Sequence, residues 1–360
     1  MDYQSLQIIG SRTSGGAERF YCRLVAGLYA KRQTVLAVNP PGSAVALELG
    51  TPAPQHHVRM RSIWDPLARI ALKQIIKHTH PAIVQTFMGR ATRLIRLPRS
   101  GAAVHIARLG GFYDVRHYSH AHYLIGNTQG ICDYLVREGV PAQQVFHMPN
   151  CVDVAPPVSA AAREAVRAQL QLAQDDWLVM FAGRLHENKG VEYLLDALAA
   201  MPQSIAGRRV HLAILGDGGL RDTLQAHAQT LKLADRVHWC GWVADPDPWY
   251  AVADAFICSS IHEPLGNVVL EAWAHGIPVV ATRTDGPVEI CTHETDALLV
   301  EVASAKALAC GITELLGAGA NYRTSLGMAG QQKLSAHYST ERVVSDYVSL
   351  YDSLTRVRTG

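Results

Sequence analysis

No run of eighteen apolar residues occurs in the chain, so no membrane-spanning helix is expected. The opening residues, Met1-Asp2-Tyr3-Gln4, put no positive charge ahead of an apolar core, and a secretory signal is not expected either. None of the seven cysteines (22, 132, 151, 240, 258, 291 and 310) forms a Cys-x-x-Cys pair. Odd in number and far apart, they read as buried or incidental thiols of a reducing cytoplasm, with no zinc site. Histidine is plentiful at 17, yet no group has convincing metal spacing; His117-x-x-His120-x-His122 comes nearest, and no metal is expected. Aromatic residues do not interleave with basic ones and no DNA- or RNA-binding motif is present, so no nucleic-acid partner is expected. Gly-x-Gly-x-x-Gly is missing as well, and a dinucleotide fingerprint is not met.

What is present describes a globular protein with room for two domains: 360 residues, 48% hydrophobic and 18% charged. A net charge of +2 conceals a division. Residues 1–150 hold 17 Lys/Arg against 7 Asp/Glu, a balance of +10, whereas residues 151–360 hold 16 against 24, a balance of −8. Such a split suggests that the first half meets something anionic. Part of that charge is regularly spaced. Arg69, Lys73 and Lys77 repeat every four residues on a helix expected over 64–78, and Arg90, Arg93 and Arg96 follow every three. These stripes suit an anionic membrane surface, at about 1 kcal/mol per Lys/Arg. A solvated helix face is the plain alternative.

Short apolar runs alternate with helical periodicity in both halves. Strands are expected at 6–9, 34–38, 82–86, 104–107 and 122–126, then at 177–182, 210–215, 237–240, 255–258 and 278–281. Helices are expected at 19–29, 64–78, from Thr128 through Glu138, and at 191–200, 220–232, 248–252, 268–275 and 338–355. Residues 39–60 are hard to assign, and the Pro/Ala-rich 154–163 reads as loop. This rhythm means βαβ units and parallel sheets, whose ligands gather at the carboxyl ends of the strands. The candidate loops all lie at such ends. Gly15 and Gly16 let backbone approach a ligand in the loop Gly10–Glu18. Arg184 and Lys189 stand five apart in Gly183–Gly190. Gly241-Trp242-Val243 follows another strand.

The stretch from Ser259 to Glu271, Ser-Ser-Ile-His-Glu-Pro-Leu-Gly-Asn-Val-Val-Leu-Glu, organises the rest. Glu263 and Glu271 are eight residues apart across a loop-to-helix transition at Pro264 and Gly266, with Glu271 expected about two turns into the helix. The free N–H groups of that helix start would bind an anion. Taken singly, the two glutamates read as solvated loop and surface residues. The whole unit, with its flanks Ser-Ser and Glu-Ala-Trp-Ala-His-Gly-Ile-Pro-Val-Val-Ala-Thr, resembles the Glu-x7-Glu signature of family 4 retaining glycosyltransferases of GT-B fold. Gly183-Arg184 through Lys189-Gly190 is similar to the Gly-Arg-x-x-x-x-Lys-Gly motif of that family.

The resemblance implies an α/β chain of two doubly wound, Rossmann-like domains facing across a cleft. Residues 1–152, with a C-terminal helix of about 340–360, would form the acceptor side; residues 153–339 would bind a nucleotide sugar. It also assigns roles. Arg184 and Lys189 would meet the donor diphosphate and Glu263 the donor sugar, these three being the catalytic set. Glu271 would take the ribose hydroxyls, Asn267 and Val268 would cradle phosphate, and Leu265 and Gly266 would also be donor-binding. Trp242 and Val243 would pack beside the base, with Gly183, Gly15 and Gly16 also at the donor. Asp285–Glu289 matches a segment near the donor, although Glu289 also reads as a helix-start residue. Many members have a His at the end of the fourth strand of the first domain; here that position falls near Arg108, which could meet an anionic acceptor or phosphate, whereas His105 comes two or three residues too early and would point into the core. Where the usual linker has Gly, this chain has Cys151.

The reading is therefore a metal-independent retaining glycosyltransferase without cofactor. Its co-substrate would be a UDP- or GDP-linked sugar and its acceptor a cell-envelope glycan or glycolipid, lipopolysaccharide or a lipid-linked oligosaccharide. It would be cytoplasmic, with a peripheral station at the inner face of the membrane. A nucleotide-sugar epimerase or phosphorylase on the same fold is the alternative, although no pyridoxal-binding lysine motif is found. A non-catalytic partner subunit is the third reading; it would be marked by loss of Glu271, Arg184 or Lys189, all of which are present.

Overall fold

The computed structural model describes residues 4–13, 15–50 and 53–359, with side chains described to residue 356. Ser14 of the Gly-rich loop lies outside the described residues. The chain divides into two compact units, Met1–Cys151 with Tyr338–Gly360, and Val152–His337.

The first unit alternates strand and helix: β1 Ser5–Ile9, α1 Gly16–Ala30, β2 Val35–Asn39, α2 Ala44–Leu49, β3 Gln55–His57, α3 Pro66–Thr79, β4 Ile83–Phe87, α4 Met88–Leu94, β5 Val104–Leu109, β6 Tyr123–Gly126, α5 Gln129–Arg137 and β7 Val145–His147. The strands form one sheet in the order β3-β2-β1-β4-β5-β6-β7, with parallel pairing throughout. Its apolar strands are buried on both faces, as parallel sheets require. Leu6 and Ile8 of β1 pack with Leu36, Val38, Leu72 and Leu94, whereas Ile9 packs with Val35, Ala37, Phe20 and Leu24. Local chemistry sets the helix starts. Pro66 opens α3 behind Asp65, whose Oδ1 accepts from Ala68 N at 3.1 Å, and Thr128 Oγ1 accepts from Ile131 N at 3.2 Å ahead of α5.

The second unit contains α6 Ala160–Gln169, β8 Trp177–Ala182, α7 Val191–Ala200, β9 Ser204–Ile205, β10 Arg208–Leu215, α8 Arg221–Thr230, β11 Val237–Gly241, α9 Asp247–Tyr250, β12 Ala255–Cys258, α10 Asn267–Ala274, β13 Val279–Thr282, α11 Asp285–Ile290, β14 Leu298–Val300, α12 Ala305–Gly317 and α13 Ala320–His337. Its sheet runs β11-β10-β8-β12-β13-β14, all parallel, with β9 added antiparallel to β10. The last helix, α14 Thr340–Thr359, belongs to the first unit and buries Val343, Val344, Tyr347 and Tyr351 in the same core as Phe20 and Leu24 of α1.

Two local expectations are corrected and one unassigned stretch gains elements. Residues 154–163 are not all loop: α6 begins at Ala160 behind Ser159, whose Oγ accepts from Ala162 N at 3.2 Å. Within 39–60 a six-residue helix and an edge strand are found, α2 and β3. Glu271 is the fifth residue of α10, so it stands about one turn into the helix rather than two. Cys151 is fully buried and is not among the residues with positive φ, so this linker position does without the glycine conformation.

Candidate functional site

In the second unit the chain starts at β8, builds outward through β10 and β11, then returns to the other side of β8 with β12. Loops after β8 and β12 therefore leave on either side of one crevice, the topological switch point at which such sheets bind ligands. These loops are joined by main-chain bonds. Gly183 N donates to Leu215 O (2.9 Å), Leu185 N to Asp217 O (3.0 Å), Gly216 N to Gly241 O (2.7 Å), Ile261 N to Asn188 O (2.8 Å) and Gly286 N to Glu263 O (2.8 Å). A frame of this kind holds side chains from five strand ends in fixed relation.

Lys189 ends a 3-10 turn, Glu187–Lys189, capped by His186, whose Nδ1 accepts from Asn188 N at 3.2 Å. Gly190 then turns the chain into α7 at φ 57°, and a Cβ there would stand 2.3 Å from Ser259 O. Both demands select glycine. The close approach brings the β8 and β12 loops together, and Ser259 Oγ donates to Lys189 O at 2.9 Å. Across the crevice the Lys189 ammonium pairs with the Glu263 carboxylate, which also accepts from Ser260 Oγ at 3.2 Å. Their side chains are 24% and 12% exposed, so the pair is shielded yet open to a ligand. Burial is the largest single influence and pulls the Lys189 pKa down, but the Glu263 carboxylate and Cys258 together turn the net shift upward. Lys189 thus stays cationic. Arg184, exposed in the same loop, lies close enough to oppose that shift.

Gly266 precedes α10 at φ 86° and ψ 51°, a conformation open to glycine, and it supplies no capping side chain. No acidic residue stands in the first turn of α10, which opens with Asn267 and Val268 and carries the positive end of the helix dipole. Leu265 is buried beneath it. Glu271, half-buried one turn on, accepts from Tyr250 Oη at 3.3 Å through Oε2. Tyr250 is buried and stacks on His275, ring centroids 4.9 Å apart and 7° from parallel; His275 Nε2 stands 3.3 Å from Asp247 Oδ1. Burial lowers the His275 pKa against the pull of Asp247. After β11, Trp242 is 64% exposed and Val243 half-buried. Glu289 is exposed on α11.

Eleven of the expected residues, Gly183, Arg184, Lys189, Trp242, Val243, Glu263, Leu265, Gly266, Asn267, Val268 and Glu271, thus lie on loops and a helix start at one edge of one sheet. Ser260, Tyr250, Asp247 and His275 were missed. His275 had a signal, since four residues after Glu271 it shares a helix face; Tyr250 had none.

In the first unit, half-buried Gly15 precedes α1 and Gly16 opens it. Arg108 is buried at the end of β5. Its Nε donates to Tyr347 Oη (3.0 Å), its guanidinium bonds Asn150 Oδ1 and Met148 O, and it lies 3.8 Å over the Phe20 ring. His105 points into the core: its Nε2 is 3.0 Å from Thr86 Oγ1, and burial pushes its pKa down to about 3. His120 Nε2 lies 2.9 Å from Thr92 O, and His122 Nδ1 accepts from His105 N at 3.0 Å. Among the described residues no three His, Cys, Asp or Glu side chains gather as metal ligands would, and no helix is long and apolar enough to cross a membrane.

The family described as glycosyl transferases group 1 matches residues 177–318. Over its length the chain is 31% identical to the lipopolysaccharide core biosynthesis glycosyltransferase LpsE of Rhizobium meliloti (strain 1021), covering 94% of this chain and 96% of the relative. It is 30% identical to LpsD of the same organism, with the same coverage. Among solved structures, Anabaena HepE in complex with UDP superposes with a TM-score of 0.82 at 22% identity, over 97% of this chain and 100% of that one. Two parallel α/β units, a matched second unit and relatives aligned almost end to end lead to one assignment: the chain belongs to the group 1 glycosyltransferases and is a glycosyltransferase of GT-B fold.

Proposed function

We propose that the chain is a metal-independent, retaining enzyme that moves a sugar from a UDP-linked donor to a lipopolysaccharide core or related cell-envelope glycan. In this reading Val152–His337 binds the donor and the remaining unit binds the acceptor. The carrying observation is the Lys189–Glu263 pair across the switch point, on the loops that lead into α7 and α10. The need is specific. As the glycosidic bond breaks, negative charge builds on the leaving diphosphate and positive charge on the anomeric carbon. Arg184, Lys189 and the N–H groups of Asn267 and Val268 meet the first, and Glu263 meets the second. A Lys189 that stays cationic can do this without a metal. Glu271, steadied by Tyr250, takes the ribose hydroxyls, and exposed Trp242 with Val243 borders the base. The UDP choice is supported by the complex reported for HepE. The acceptor class is supported by the names of LpsE and LpsD. For Arg108 we favour a positioning role, since its donors tie residues 148–150 to α14.

The enzyme would work at the inner face of the cytoplasmic membrane. Trp64, Leu67 and Ile70 are 69%, 73% and 56% exposed on and just before α3, with exposed Lys73 and Lys77 further along it. Apolar side chains backed by basic ones are what an anionic bilayer surface holds.

Transfer from labelled UDP-sugars to isolated lipopolysaccharide core, with a chelator present, tests the reading. A glycosidic product with retained anomeric configuration is expected. Sugar 1-phosphate or an epimerised sugar in place of that product indicates a phosphorylase or an epimerase, and loss of activity in chelator overturns the metal-free claim.

A further inference from the structure

The first unit has a switch point of its own, between β1 and β4, and a cavity of about 530 Å³ opens there. It is lined by Arg12, Arg59, Arg61 and Arg90 with Pro40, Pro41, Gly42 and Met60. The four arginines come from three segments: the loop after β1 carries Arg12, the stretch after β3 carries Arg59 and Arg61, and α4 after β4 carries Arg90. Two are anchored through backbone. Arg90 Nη1 donates to Gly10 O (3.0 Å) and Met60 O (3.3 Å), and Arg12 O accepts from Ala44 N at 3.2 Å. Asp65 stands beside Arg61 and is committed to capping α3 and to the Arg61 backbone N–H, from which its Oδ2 accepts at 3.0 Å.

We infer that this cavity binds an acceptor through a negatively charged group, a phosphate or carboxylate borne on its sugar. The inference rests on the reading above, in which this unit holds the acceptor, and it names that acceptor's chemical class. The volume is that of a small-molecule site. Sugar hydroxyls both donate and accept, but guanidinium groups only donate. None of the eight lining residues is an acid, an amide or an aromatic, so a neutral sugar would find no side-chain acceptor and no ring face. Four arginines around one cavity instead match oxyanions, which accept only and take paired N–H donors from an arginine fork. An unfilled cluster of like charges also repels itself, so a bound anion relieves it.

Calorimetric titration of the full chain tests this with glucose 6-phosphate against glucose, and with phosphatidylglycerol vesicles as a separate arm. Glucose 6-phosphate is expected to bind at least tenfold more tightly than glucose, weakening with salt. Arg59→Ala with Arg61→Ala should weaken it a further tenfold or more while the thermal unfolding midpoint holds, since both side chains are exposed. Equal affinities for the two sugars, or unchanged binding in the double variant, overturn the inference. Vesicle binding that needs these arginines, without sugar-phosphate binding, assigns them to lipid headgroups and overturns it too, as does displacement of glucose 6-phosphate by UDP. UDP binding on the same sample reports separately on the donor reading: UDP bound without sugar phosphate defeats the pocket alone, and sugar phosphate bound without UDP defeats the donor assignment alone.

Discussion

The two units share a parallel sheet and a ligand crevice at a switch point, yet they fill it with opposite chemistry. In the second unit a cation is met by a carboxylate, Lys189 by Glu263, inside a frame of main-chain bonds among loops. In the first, four arginines from three segments line one cavity with no acid in the lining. The difference suits two kinds of task. A balanced pair can be divided by an incoming ligand, its lysine turning to developing negative charge and its carboxylate to developing positive charge. An unbalanced cluster holds one charged group and does no chemistry on it.

Variants can break or sharpen that contrast. Lys189→Ala should have the largest effect, cutting turnover by roughly 10²–10³ as expected for a lost transition-state charge partner, with the fold retained by circular dichroism. Arg184→Ala should also cut turnover heavily with the fold intact, and near-wild-type kcat in either variant removes the diphosphate assignment. Tyr250→Phe deletes one hydrogen bond to Glu271, worth about 1 kcal/mol, so donor KM should rise several-fold with kcat little changed. If kcat falls and KM holds, Tyr250 is not acting through ribose binding.

The smallest effect concerns stability. His105 is held neutral in the fold, with a pKa near 3 against an ordinary 6.5. Below about pH 6.5 the unfolded chain therefore binds a proton that the folded chain refuses, and stability falls as pH falls from 6.5 toward 3. His120, also shifted down by burial, acts in the same direction. Melting of the first unit should drop between pH 7.5 and 5, and His105→Gln should flatten that slope; an unchanged slope shows that other groups carry it.

Much of this was legible in the sequence because the second unit writes its site in short contiguous motifs. Ser259–Glu271 contains the loop, the helix start and both glutamates, and strand–helix alternation identified the sheets. What escaped had physical reasons. The α6 helix buries only Val166, so it shows no apolar stripe. In α13 two of the four buried residues are Gly327 and Gly330, which contact by closeness rather than hydrophobicity. Tyr250 reaches Glu271 from 21 residues away. The arginine cavity is assembled from residues 12 to 90, and in the sequence it registered as the +10 balance of residues 1–150 and, for Arg90, as one member of a basic stripe.

The central claim is that the second unit is a nucleotide-diphosphate clamp closed by Lys189. Thermal unfolding with and without UDP, in the native chain and in Lys189→Ala, tests it most directly. At UDP near 100 times its Kd the native midpoint should rise by roughly 5–10 °C, and the variant should lose most of that rise at the same concentration. No rise in the native chain, or an equal rise in both, contradicts the account.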